Sequence, residues 1–338
     1  MDKKVIITGY GVVAKELCQF LFTHGENIKR KYGFGLQLTG IIGSSGMLYK
    51  EEGIPLERLL TYGLGSKALN QFAIDTGMEL IEPIISGDVL VECTPTNIEH
   101  GEPGLSYIRE AIKARMDVVA VSKGALVHAF SEINKAAMEK GVRLKFSGAT
   151  AAALPTMDIG EYSLAGCTIT SIQGILNGTS NYILTSMEEY HLSFSEALQL
   201  AQKKGIAERD SSLDIKGFDS ACKILLLTNG LFRANLSIKD ISIEGIEQIT
   251  SGSIEEARKR NARIKLIAEA RRVHGQVQVV VQPCEIEQSH PLYTVNGTNK
   301  GIVFNTVEMG AVCVTGGASH PRGAAAAAIK DIINLYRI

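Results

Sequence analysis

The sequence predicts an α/β protein in two parts: a parallel sheet wound with helices up to about residue 146, then an α+β part. Three observations predict this. Strand-like and helical segments alternate through the first part, the pattern of parallel strands joined by helical crossovers. The first strand runs directly into Gly9-Tyr10-Gly11-Val12-Val13-Ala14 and an amphipathic stretch. In that setting a Gly-x-Gly-x-x-Gly/Ala run marks a Rossmann-like, dinucleotide-binding domain. After Asn229 the text turns strand-rich. The 338 residues, 45% of them hydrophobic, suffice for about two domains.

Val5-Ile6-Ile7-Thr8 is a β-branched strand. Gly9 permits the tight turn after it, Gly11 lets the backbone approach a pyrophosphate, and Ala14 keeps the helix close to the sheet. Gly9, Gly11, Val12, Val13 and Ala14 are therefore candidate cofactor contacts, the bare alternative being a plain strand-to-helix turn. The helix is read through Phe22. Strands follow at 36–42, 89–93, 117–121 and 144–146, with helices near 66–76, 105–114 and 130–140. The second strand ends in Gly43-Ser44-Ser45-Gly46, with no carboxylate to hold a ribose 2′-hydroxyl. Ser44 leaves space for a 2′-phosphate, and a lysine such as Lys50 or Lys67 is read as able to reach it. The expected cofactor is NADP, with NAD possible. Ligands gather at the carboxyl ends of parallel strands, which singles out Thr94, Ser122 and Lys123. Lys123 follows an apolar strand. It is either directed into a crevice, for cofactor binding or proton transfer, or a surface lysine.

In the second part, residues 147–155 are small and nearly uncharged, suited to close backbone approach or to a linker. A strand over 168–176 stops at Asn177-Gly178-Thr179-Ser180-Asn181 and resumes as a helix through Met187. The hydroxyls of Thr179 and Ser180 are expected to cap that helix. The corner offers backbone N–H groups to a polar substrate, or is an ordinary turn. Ser193-Phe194-Ser195-Glu196 fits a capping box, with a helix from there to Lys204 and a stop at Gly205. Next comes the densest acidic constellation: Glu208, Asp210, Asp214 and Asp219, with Lys223 four residues beyond Asp219 and on the same helical face. These side chains either hold an ammonium-bearing substrate or form an exposed helix start. Strands are read at 263–272, 276–283, 301–307 and 311–315. Val277, Val279 and Val281 face opposite to the glutamines between them. A two-faced sheet of this kind predicts a homodimer joined through the second part. Gly316-Gly317 open a glycine-rich loop that feeds an alanine-rich closing helix.

The net charge is −1, which argues against a nucleic-acid footprint. No run approaches a membrane span, and Met1-Asp2-Lys3-Lys4 leads straight into a strand without a signal-peptide pattern. The six cysteines are scattered, without a Cys-x-x-Cys pair. A cytoplasmic enzyme with free thiols is expected, and the histidines and cysteines single out no metal site.

The runs 174–184 and 206–227 closely resemble the two signatures of homoserine dehydrogenases, and the resemblance extends over nearly the whole chain. It implies Glu208, Asp214 and Asp219 as substrate ligands with Asn177, Gly178 and Thr179, and Lys223 and Lys123 as the catalytic lysines. It further implies that Gly316 and Gly317 border the cofactor. In some members the counterpart of 147–155 offers backbone carbonyls to a monovalent cation. The implied division is a dinucleotide-binding domain, 1–146, completed by the closing helix at about 318–338, and a catalytic and dimerisation domain, 147–317, without the regulatory domain of longer members. The chain departs from the family pattern in several places: Ser122 for Asn, Ser147 for Glu, Ser211 for Pro, and His320-Pro321-Arg322 with Ala324 near the end. The departures at Ser122, Ser211 and the His320 loop leave open a related oxidoreductase acting on another amino alcohol or semialdehyde; the second alternative is a catalytically silent nucleotide-binding homologue, against which the presence of Glu208, Asp219, Lys123 and Lys223 together argues.

Overall fold

The computed structural model describes residues 2–317 and 320–337. The chain divides into two compact units, Met1–Ala149 with His320–Ile338, and Thr150–Ser319. Met1, Ala318, Ser319 and Ile338 lie outside the described residues, and with them part of the closing segment read from the sequence.

The first unit is built on seven strands: β1 (Lys3–Thr8), β2 (Leu36–Gly43), β3 (Gly46–Tyr49), β4 (Leu80–Ile81), β5 (Val89–Glu92), β6 (Asp117–Ala120) and β7 (Leu144–Lys145). Their order is β4-β3-β2-β1-β5-β6-β7. The core pairs are parallel, whereas β3 lies antiparallel to both β2 and β4. The sheet is thus mixed at one edge, where the sequence predicts a parallel sheet throughout. The cause is local: Ser44 and Ser45 form a two-residue connection between Gly43 and Gly46, which pair with each other, and Gly46 adopts φ +131°, so the chain turns back as a hairpin.

The helices of this unit are α1 (Val12–Tyr32), α2 (Leu56–Leu59), α3 (Gly65–Thr76), α4 (Gly104–Lys113), α5 (Gly124–Lys140) and the closing helix α12 (Pro321–Tyr336). Strand alternation sorts the core. Val5, Ile7, Val89, Val91 and Val119 cluster with Leu17 and Cys18 of α1 and Ile329 and Ile332 of α12. Their neighbours Ile6, Leu90 and Val118 are equally buried on the other face, where α4 packs on β5 and β6 and against α5. α1 runs ten residues past its expected end because Gly25 does not break it; it stops at Gly33, φ +80°. α5 starts at Gly124 rather than near Phe130, since the residues before 130 form a first helical piece, kinked at Ala129.

α12 is held by a buried carboxylate. Asp331, 1% exposed, accepts from the backbone N–H and the hydroxyl of Ser147 at 2.9 and 2.8 Å. Lys330 Nζ donates to the same hydroxyl at 2.8 Å. Burial pushes the Asp331 carboxyl above its usual range. Pro321 and Arg322 form the first turn of α12. His320 caps that turn by accepting from the Arg322 N–H at 3.1 Å, and proline at the first position loses no helical hydrogen bond.

The second unit contains α6 (Thr156–Asp158), β8 (Ile169–Ile175), α7 (Gly178–Tyr190), α8 (Phe194–Lys203), α9 (Ser212–Ile215), α10 (Phe218–Phe232), β9 (Ile241–Ile243), α11 (Ser251–Lys259), β10 (Ala262–Val273), β11 (Gln276–Glu287), β12 (Lys300–Thr306) and β13 (Gly310–Gly316). The sheet order is β13-β12-β8-β10-β11-β9. Ile172, Ala268, Ala270, Val279, Val281, Ile302 and Phe304 are buried and share one face by register; α10 packs on this sheet. Ile175, Ile267 and Val303 on the opposite face are covered by Leu292 and Val295. α11 interrupts the stretch read as strand-rich, its start fixed by Thr250, whose hydroxyl accepts from the Ser253 N–H at 3.1 Å. Among the described residues, no helix is long and apolar enough to cross a membrane.

Candidate active site

In the first unit an open cleft of about 610 Å³ lies at the carboxyl ends of β1, β2 and β5. Gly9, Gly11, Val12, Val13, Ser44 and Thr94 line it, with Ser66, Pro95 and Tyr107. Gly9 adopts φ +80°, and a Cβ there would lie 2.8 Å from the Cys93 carbonyl oxygen, so the turn admits only glycine. Gly11 caps α1 with extended backbone, and a Cβ on it would meet open space. The helix start is therefore exposed to the cleft, and its free N–H groups and dipole suit a pyrophosphate. Val12 is 48% exposed, an apolar surface that a bound dinucleotide would cover. Ala14 is fully buried against the sheet. These residues fit a dinucleotide. Gly9→Ala is expected to weaken cofactor binding by roughly tenfold or more, through a left-handed φ and a backbone clash; titration of cofactor fluorescence measures it, and an unchanged affinity would separate this turn from the cofactor.

Ser44 sits at the hairpin tip. Its N–H donates to Ser66 Oγ at 2.8 Å, and the two hydroxyls are 2.7 Å apart. Ser66, at the start of α3, is a lining residue that the sequence reading missed. Lys67 beside it is exposed. Lys50 is excluded, as a correction. It follows β3, which runs back along β2, and its N–H donates to the Thr39 carbonyl, placing it at the far end of the hairpin, about 13 Å of strand from Gly46.

Glu92 closes β5 fully buried. Its carboxylate accepts from the Thr94 N–H at 2.7 Å, from the Thr94 hydroxyl, and from the Ser122 hydroxyl at 2.6 Å. Burial pushes the carboxyl above its usual range, opposed by those hydrogen bonds. Lys123, half-buried, follows as the N-cap residue of α5. The sequence reading gives Glu92 no role, although it is one carboxylate ending an otherwise apolar strand.

In the second unit four expected residues come together. Asn177 Nδ2 donates to Asp214 Oδ1 at 2.6 Å and to Asp219 Oδ2 at 2.8 Å. Lys223 Nζ donates to Asp219 Oδ2 at 2.5 Å and to the Leu176 carbonyl at 2.9 Å. The Lys223 and Asp219 side chains are 14% and 15% exposed. The chain builds this locally. β8 ends at Ile175, Asn177 caps α7, and Asp219 and Lys223 sit one turn apart on α10. The cap corrects the sequence expectation: Asn177 Oδ1 accepts from the Ser180 N–H at 2.8 Å, while the Thr179 hydroxyl donates to the Ile206 carbonyl at 3.1 Å and the Ser180 hydroxyl to the Asn177 carbonyl at 3.3 Å. Asp214 lies on the short α9 rather than in a loop. Glu208 is exposed, and its side chain makes no bond to the cluster. Gly178 is buried at the first position of α7. Gly316 ends β13 in the second unit and Gly317 follows it, where a Cβ would lie 2.8 Å from the Leu154 backbone nitrogen.

The residues present do not fit a monovalent cation. Ser147 has no carboxylate to offer and is engaged by Asp331. In the second unit the Ala151 carbonyl accepts from Lys300 Nζ at 3.1 Å, an ammonium already in place. Among the described residues no group of three or more His, Cys, Asp or Glu could hold a metal ion.

A dinucleotide cleft on a Rossmann-like sheet in the first unit and a carboxylate–amide–ammonium cluster in the second are features of a nicotinamide-dependent oxidoreductase. The comparisons make this specific. The homoserine dehydrogenase family model matches residues 155–333, and that of the homoserine dehydrogenase NAD binding domain matches residues 9–147. The chain is 34% identical to a homoserine dehydrogenase of Methanocaldococcus jannaschii over 98% of both chains. It is 32% identical to an NAD(+)-dependent homoserine dehydrogenase of Pseudomonas canavaninivorans over 99% of this chain and 97% of that one. The crystal structure of a homoserine dehydrogenase from Thiobacillus denitrificans superposes with a TM-score of 0.83 at 25% identity, covering 100% of this chain and 74% of that one. The chain belongs to the homoserine dehydrogenase family.

Proposed function

We propose that the chain interconverts L-aspartate 4-semialdehyde and L-homoserine with a nicotinamide dinucleotide, a step of aspartate-family amino-acid biosynthesis toward threonine and methionine. The observation that carries this reading is the bonded cluster of Asn177, Asp214, Asp219 and Lys223. Bound nicotinamide supplies the hydride for the carbonyl carbon. The chain's own residues do the rest. Asp214 and Asp219 hold the substrate ammonium, with Glu208 joining them from the exposed loop. Asn177 keeps the two carboxylates apart and oriented, and the α7 start at Gly178 and Thr179 offers backbone N–H groups to the substrate carboxylate. Lys223 gives its proton to the carbonyl oxygen as charge develops there, and takes it back in the reverse direction. Lys123 is the second lysine assigned to the reaction, and Thr94, Ser122, Gly316 and Gly317 are assigned to the cofactor. The test is homoserine-dependent reduction of NADP⁺, with L-serine and L-threonine as comparison substrates. Rates as high with those two would replace this reading by a broader amino-alcohol oxidoreductase.

NADP is the proposed cofactor. No carboxylate stands at Gly43–Gly46 to repel a 2′-phosphate, the Ser44–Ser66 hydroxyl pair can donate to one, and Lys67 is exposed next to it. The relative named NAD(+)-dependent keeps NAD in view. NADPH is expected to serve at least as well as NADH in kcat/KM; a strong preference for NADH would overturn this assignment.

The proposed assembly is a cytoplasmic homodimer joined through the second unit; the proposed functional division is 1–146 with the closing helix for the cofactor and 147–317 for catalysis and dimerisation. β13 is an edge strand with exposed positions, and Val307 and Met309 at the β12–β13 turn are 67% and 58% exposed, apolar surface available to a partner. Light scattering at low micromolar concentration is expected to give the dimer mass. A fully active monomer would exclude dimerisation as a requirement.

A further inference from the structure

We infer that Glu92 is a positioning residue, a buried carboxylate that clamps the chain after β5 to the chain after β6 and so sets the placement of Lys123. The inference rests on the assignment of Lys123 to the reaction.

The geometry is confined to the first unit. Glu92 stands in register between Thr8 on β1 and Ala120 on β6, on the α4 face of the sheet. One carboxylate oxygen takes both donors of Thr94, the N–H and the hydroxyl, and the other takes the Ser122 hydroxyl. A single side chain therefore ties two strand ends together at their carboxyl edge. The start of α4 closes over it: a Cβ on Gly104 would lie 2.9 Å from the Glu92 carboxylate, so a larger residue there would have to displace that carboxylate, and the helix start faces the negative charge. The two loops meet again just beyond, where a Cβ on Gly124 would lie 2.4 Å from the Asn97 carbonyl oxygen. Lys123 lies between these fastenings, Ser122 on one side and Gly124 on the other. A buried carboxylate with three donors costs desolvation that an apolar side chain would avoid. What it supplies in return is direction, since hydrogen bonds fix angles where apolar packing does not. The residue at 122 need only donate to Glu92; serine does so through its hydroxyl, and asparagine could do so through its amide.

The experiment measures kcat, KM and cofactor affinity for Glu92→Ala, Glu92→Gln, Ser122→Ala, Ser122→Asn, Lys123→Ala and the double variant Glu92→Ala/Ser122→Ala. Glu92→Ala is expected to lower kcat by roughly 10²-fold, the scale of a misplaced reacting group, and to weaken cofactor affinity by a smaller factor, since Thr94 and Ser122 lose their shared acceptor. Glu92→Gln, which keeps the shape, covers the case in which the alanine variant does not fold, and is expected to lower kcat by roughly tenfold. Ser122→Ala should lower kcat less, Ser122→Asn should restore it, and the double variant should be no worse than Glu92→Ala alone, because both act on one contact. A folded Glu92 variant with near-parental kcat beside an impaired Lys123→Ala overturns the positioning role alone, as do losses that multiply in the double variant. A near-parental Lys123→Ala overturns the assignment of that lysine, and the inference with it.

Discussion

Lys223→Ala is expected to lower kcat by roughly 10²-fold or more, the usual cost of a lost general acid–base group, with cofactor affinity little changed. The Lys223 ammonium is fixed from two sides, by Asp219 and by the Leu176 carbonyl at the end of β8, so its position does not depend on bound substrate. Alanine removes the proton donor and leaves the Asn177–Asp214–Asp219 contacts able to form. The loss should therefore appear in kcat far more than in KM. Steady-state rates in both directions measure it. Near-normal turnover would make Lys223 a structural partner of Asp219 and move proton transfer to Lys123.

Asp219→Asn should be nearly as damaging but with a different signature. Asp219 Oδ2 accepts from both Asn177 and Lys223, so the neutral amide weakens substrate binding and frees the lysine together. A fall of roughly 10²-fold or more in kcat/KM is expected, shared between a higher KM and a lower kcat. The pair is mostly shielded from solvent, at 14% and 15% exposure, so salt should screen it little. Full truncation to alanine would also strand the ammonium, at about 3 kcal/mol of stability; asparagine keeps the shape and isolates the kinetic effect. An Asp219→Asn enzyme altered in KM alone would remove Asp219 from the placement of Lys223.

Much of this arrangement was legible in the sequence because it is local. The glycine turn follows from spacing after a strand, the capping box at Ser193 and Glu196 forms both its bonds, and the pairing of Asp219 with Lys223 follows from four-residue helical spacing. What escaped depends on contacts far apart in the chain. Glu92 reads as the polar end of a strand until Ser122, thirty residues on, is seen to bond it. Ser66 reads as a helix residue until the β2–β3 hairpin brings Ser44 to it. Lys50 looked close to Ser44 in sequence and is carried away by that same hairpin. The cap of α7 was assigned to the hydroxyls of Thr179 and Ser180, yet Asn177 holds it, because its amide serves the helix with the oxygen and the acidic pair with the nitrogen.

Hydride transfer by this chain to the carbonyl carbon of aspartate 4-semialdehyde is the reaction on which the proposed function stands. It is tested most directly with NADPH carrying deuterium in turn at each of the two C4 positions. Homoserine one mass unit heavier is expected from one of the two labelled cofactors, with the label on the carbon that bears the hydroxyl. Unlabelled homoserine from both cofactors, or no homoserine at all, would contradict it.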